Sequence, residues 1–86
     1  MHFNLGNFLF IKQKKTQEAI SYYKMAIKFK PDFAEAHNNL GNALVQKGEV
    51  KEAINHYRKT LRLKPGLVSV QKNLEMALLR IEKIED

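Results

Sequence analysis

Eighty-six residues, 44 % of them hydrophobic and 28 % charged, leave room for one domain with a modest core. The chain has no cysteine, which excludes disulfides and Cys-based zinc or redox sites, and its formal net charge is +6. No apolar run approaches the roughly 20 residues that span a bilayer.

The first predicted helix covers Met1 to about Ile11. Its basic cluster, Lys12, Lys14 and Lys15, follows the apolar stretch instead of preceding it, the wrong order for a secretory signal. A soluble protein, cytoplasmic or otherwise intracellular, is expected. Phe3, Leu5, Phe8, Leu9, Phe10 and Ile11 surround this helix instead of forming one stripe, and a helix apolar on all sides is normally buried on all sides. Phe3, Phe8, Phe10 and Ile11 are therefore candidate self-association residues, with a homodimer through the first helix as one outcome. A preceding element of a longer parent protein is the other.

Gln13-Lys14-Lys15-Thr16 is predicted to connect to a second helix, about Gln17–Lys30, with Thr16 as its N-cap. The third helix is predicted over Ala34–Lys47. Asp32, with Glu35 three residues later, makes a capping-box-like start, and Leu40, Ala43, Leu44 and Lys47 share one face. Glu35, Asn39, Asn42 and Gln46 follow another face. Gly48 stands where a left-handed residue should end the helix. The fourth helix, about Val50–Leu63, turns Val50, Ala53, Ile54, Tyr57 and Leu61 inward, and Pro65 stops it. A fifth helix lies in Gly66–Asp86, with Val70, Leu74, Ala77, Leu78 and Ile81 as its apolar stripe. Lys72, Glu75, Glu82, Lys83, Glu85 and Asp86 give it a polar outer face, as suits the last unit of a stack.

The elements repeat. Asn4-Leu5-Gly6-Asn7 recurs as Asn39-Leu40-Gly41-Asn42, and Phe29-Lys30-Pro31 as Leu63-Lys64-Pro65. Ala19 to Ala53, Tyr23 to Tyr57 and Pro31 to Pro65 are each 34 residues apart. That period signals stacked helical hairpins, in which Gly41 and Ala53 let two backbones approach while Tyr57 fills the adjoining space. The pattern resembles the tetratricopeptide repeat, with its Leu-Gly pair, Ala, aromatic and closing Pro. The resemblance implies an all-α fold, an α-solenoid of antiparallel hairpins with five helices: two repeat units plus a C-terminal capping helix. One domain, 1–86, would comprise a first repeat at 1–31, a second at 32–65 and the capping helix at 66–86. The first unit departs from the pattern, since Gly6 to Ala19 is one residue longer than Gly41 to Ala53 and no glycine matches Gly48.

Catalytic chemistry is poorly represented. His2 and His37 occupy equivalent repeat positions and should lie one repeat apart. No His-x-x-x-His pair, phosphate-cradling glycine loop or Gly-x-Ser-x-Gly elbow is present. No enzyme activity, metal or cofactor is expected. Lys24, Lys28, Lys30, Arg58, Lys59, Arg62 and Lys64 lie on the second helix of each unit, where basic residues near C-termini complement the macrodipole. Nucleic acid and membrane are disfavoured as partners.

Asparagines carry the sharper signal. Asn4, Asn39 and Asn73 are equivalent positions, 35 and 34 residues apart, that form a ladder on the concave surface of such a stack. An amide offers both donor and acceptor, which suits an extended peptide backbone. Asn7, Asn38 and Asn42 broaden the strip, and Lys72 and Arg80 place positive charge at one end. The arrangement is similar to the repeat region of the O-linked N-acetylglucosamine transferase family, where an asparagine ladder holds peptide. A carboxylate clamp, another mode of the repeat family, lacks its cations here: Phe3, Ser69 and Asn73 occupy the corresponding positions. The expected function is a protein–protein interaction module binding an extended peptide. The alternatives are a structural or self-associating scaffold fragment, or the substrate-recognition part of an enzyme.

Overall fold

A computed structural model describes the backbone of residues 5–85 and the side chains of residues 14–83. Four helices make up the described residues, with no strand: α1 (Leu5–Phe29), α2 (Ala34–Lys47), α3 (Val50–Leu63) and α4 (Val68–Glu85). The bounds of α2 and α3 match the sequence expectation. The count does not, because the two expected N-terminal helices are one.

The merger has a local cause. Gln13-Lys14-Lys15-Thr16 contains neither a glycine to turn left-handed nor a proline to interrupt the ladder, and Gln and Lys are good helix formers. Helix then propagates through the expected turn, since each added residue gains a hydrogen bond without a new nucleation cost. Thr16 lies inside α1 instead of at a helix start, and its hydroxyl donates to Gln46 Oε1 of α2 at 3.3 Å.

At Gly48 the opposite choice is made. Its φ of 94° is left-handed; its N–H reaches the Val45 carbonyl at 3.0 Å, and Glu49 N–H reaches the Leu44 carbonyl at 2.8 Å. That pair of bonds ends α2 and reverses the chain. The start of α2 differs from expectation in its cap. Phe33, extended at φ −79°, is the N-cap and makes no side-chain capping bond. The helix begins one residue too late for Asp32 and Glu35 to form a capping box.

Ala34, at the start of α2, meets Thr60 near the end of α3, and Gly41, midway along α2, meets Tyr57 midway along α3, which makes the pair antiparallel; His37 and His56 also meet across it. The core lies along this hairpin, built from Leu40, Ala43, Leu44, Val50, Ala53, Ile54 and Tyr57. Ile20 of α1 closes it on one side, and Val70 and Ala77 of α4 on the other. A Cβ on Gly41 would stand 2.7 Å from the Tyr57 ring, so the small residue sets the helix separation.

The polar outer face expected of the last helix is only partly realised. Leu78 is 40 % exposed and Met76 and Leu79 are exposed beside it, whereas Leu40 and Leu44, the repeat equivalents of Leu74 and Leu78, are buried. Among the described residues no helix covers α4 as α3 covers α2. The molecule measures 48 × 36 × 20 Å, and its radius of gyration of 14.4 Å exceeds the ~12 Å of a compact domain this size.

Candidate functional site

Helical periodicity assembles one concave surface. Val45 and Gln46 lie three and four residues beyond Asn42 on α2, and Met76 and Ala77 lie three and four beyond Asn73 on α4, with Arg80 one turn further. With Tyr57 of α3 as the floor, they line an open cavity of ≈350 Å³. Gln46 and Arg80 are repeat equivalents that face the same space.

The hydrogen bonds decide what this surface can offer a ligand. Tyr57 Oη donates to Asn42 Oδ1 at 2.6 Å, and Asn73 Nδ2 donates to the same oxygen at 3.3 Å and to Asn38 Oδ1 at 3.5 Å. Both lone pairs of the Asn42 oxygen are thereby engaged, which leaves its NH₂ as a donor. Asn73 has spent donors on its neighbours and keeps its carbonyl as an acceptor. Donor and acceptor thus stand side by side on adjacent helices. Burial pushes the Tyr57 phenol above its ordinary pKa, so it remains a donor through the neutral range. Arg80, exposed at the rim, adds a fixed positive charge.

Asn38, Asn42 and Asn73 therefore come together, and Arg80 joins them at the cavity. Asn39 is exposed and Lys72 is exposed, and neither lines the cavity. Asn7 lies on the N-terminal part of α1, where only the backbone is described, while Asn4 falls outside the described residues. The same holds for the self-association residues: Phe8, Phe10 and Ile11 sit on that stretch of α1, and Phe3 lies outside the described residues. Val45, Met76 and Tyr57 were missed as lining residues. The signal for the first two is their place one turn beyond Asn42 and Asn73, whereas the sequence pattern marks Tyr57 only as core.

Two histidines meet beside the hairpin. The His37 and His56 rings stack at 5.3 Å between centroids, with their Nδ1 atoms 3.0 Å apart. His37 Nε2 is 2.8 Å from the Pro31 carbonyl, which only accepts, so that nitrogen carries the proton. Its Nδ1 then accepts from His56 Nδ1–H. Burial, reinforced by the neighbouring His37 and opposed by Glu52, holds the His56 pKa below its ordinary value. Among the described residues no cluster of three or more His, Cys, Asp or Glu has the arrangement to hold a metal, and no helix is long and apolar enough to cross a membrane.

Comparison with known proteins gives a consistent family. A TPR repeat model matches residues 8–48, and a tetratricopeptide repeat model matches residues 34–67. No curated protein matches the chain. The two family matches overlap on α2, the helix that carries Leu40-Gly41, and together run from within α1 to the end of α3 and beyond. The chain belongs to the tetratricopeptide repeat family.

Proposed function

We propose that this chain is a non-catalytic protein-interaction module that holds an extended peptide on the concave surface between α2 and α4. Tetratricopeptide repeats generally mediate protein–protein interactions and are typically non-catalytic. The observation that carries the peptide reading is the pairing of the Asn42 donor with the Asn73 acceptor in an open cavity flanked by Val45 and Met76. A peptide backbone presents N–H and C=O in alternation, so it satisfies both amides, while an apolar side chain fills the space between. Arg80 at the rim favours a peptide with an acidic residue at that end. We further read 1–86 as one domain, with repeats at 1–31 and 32–65 and a terminal helix at 66–86, stacked as a short solenoid.

An unbiased peptide screen followed by calorimetry tests this reading. Asn73→Ala should weaken a selected peptide by about 0.5–1.5 kcal/mol, the usual net value of one hydrogen bond. Asn39→Ala reports on the outer edge of the ladder and should cost the same or less. Arg80→Glu should discriminate against acidic peptides specifically. Lys59→Ala, on the far helix face, should change little. Peptides whose affinity survives both the Asn39→Ala and Asn73→Ala substitutions undiminished would place recognition elsewhere.

A further inference from the structure

The continuity of α1 separates two surfaces that the repeat pattern matches to each other. In the second repeat, Gly41 on α2 receives the ring of Tyr57 on α3, and Ala53 is fully buried beneath α2. The first repeat carries the same residues: Gly6 stands for Gly41, Ala19 for Ala53 and Tyr23 for Tyr57. Within one unbroken helix, however, Gly6 lies ~20 Å along the axis from Ala19 and ~25 Å from Tyr23. These residues cannot pack on one another in this chain.

The receiving side is open accordingly. Ile20 and Ile27 of α1 turn to α2, with Ile20 2 % exposed and Ile27 packed against the core. The neighbouring flank is incompletely covered. Tyr23 packs against the core from one side, yet it, Ala19 and Ala26 stay half-buried, whereas their equivalents Ala53, Tyr57 and Thr60 are buried. Beyond them Tyr22 is 71 % exposed and Phe29 82 % exposed. Tyr22 is the equivalent of His56, which in the second repeat stacks on a residue of the preceding helix. This flank is the side of a hairpin helix that lacks its partner.

We propose that the partner is residues 5–13 of a second copy of this chain, and that two copies exchange these segments reciprocally. Laying residues 5–13 of one α1 antiparallel along residues 14–24 of the other puts Gly6 opposite Ala19 and Tyr23, the equivalents of Ala53 and Tyr57. The same operation repeated by the second copy closes a two-fold dimer, the isologous form expected of an exchanged element. Its axis crosses α1 near Gln13-Lys14-Lys15, where the expected turn is absent. The stretch that failed to turn thus becomes the hinge across which the hairpin is completed in trans.

Sedimentation equilibrium of the full chain is the first test: a mass twice the 10.0 kDa of one chain is expected. Tyr22→Ser, on the exposed flank, should raise the dimer dissociation constant about tenfold or more, as loss of an aromatic anchor does at interfaces. A clean monomer at high concentration, or a dimer indifferent to this substitution, overturns the proposal. The second test uses the absence of native cysteine. A Gly6→Cys, Ala19→Cys chain, checked for retained helicity, should oxidise to a covalently linked dimer. A cross-linked monomer would show that the hairpin closes within one chain. No disulfide at all would show that Gly6 and Ala19 never meet. Either result refutes the exchange.

Discussion

Gly41 shows how one missing side chain sets the spacing of two helices. An added Cβ would sit 2.7 Å from Tyr57 Cε1 and 2.9 Å from Cδ1, and that ring is 2 % exposed and tethered to Asn42 through its hydroxyl. The ring has little room to yield. Gly41→Leu should destabilise the fold by about 1–3 kcal/mol through overpacking, despite the better helix propensity of leucine, read as a lower urea midpoint. An unchanged midpoint would remove the packing role of Gly41. His56 supplies a pH dependence of definite sign. Above its ordinary pKa of 6.5 the imidazole is neutral in folded and unfolded chains alike, and it imposes no cost. As pH falls through 6.5 the unfolded chain takes up a proton that burial denies the folded one, so stability decreases on the acid side. Urea melts at pH 7.5 and 5.5 should show the lower midpoint at 5.5, and His56→Gln should flatten the difference.

At the scale of elements, helix ends are decided by single residues. Gly48→Ala forces a Cβ into φ 94° and should cost about 1–2 kcal/mol, the usual penalty of the left-handed region, measurable by thermal melting. A Tm unaffected by this change would contradict the cap assignment. The bounds of α2 and α3 were legible because Gly48 and Pro65 punctuate them and the apolar residues between recur at helical spacing. The start of α2 was less legible. Asp32 and Glu35 have the right spacing for a box, yet the backbone enters the helix at Phe33, and no spacing rule distinguishes those two registers. In α1 the expected break had no punctuating residue, and local propensity prevailed over the repeat pattern.

For the whole molecule, α4 is part of the core and not an appendage. Val70 and Ala77 are 1 % and 2 % exposed, and Asn73 ties α4 to Asn38 and Asn42 of α2. Ending the chain after Pro65 should uncover Ile54, Leu61 and Tyr57, and cost more helix by circular dichroism than the 18 residues of α4 themselves. Full retention of a cooperative transition with an unchanged midpoint would instead place α4 outside the folding unit. Small stacked units depend on each neighbour in this way, since each repeat buries its apolar face only against the next.

The 34-residue period, the Leu-Gly pairs and the apolar spacing determined by themselves that the chain is helical and belongs to its repeat family. Those features act within a turn or two of helix, or between segments that repeat, so they are visible in linear order. Which amides meet was a different matter. Asn73 is the repeat equivalent of Asn39, and equivalence alone does not name its partners: it bonds Asn38 and Asn42, because α4 crosses α2 at the face those two share. The cavity, the tautomers of His37 and His56, and the open flank of α1 likewise depend on distances between segments 19 to 35 residues apart. Such distances are set by how side-chain volumes close the core, and only the packed chain decides them.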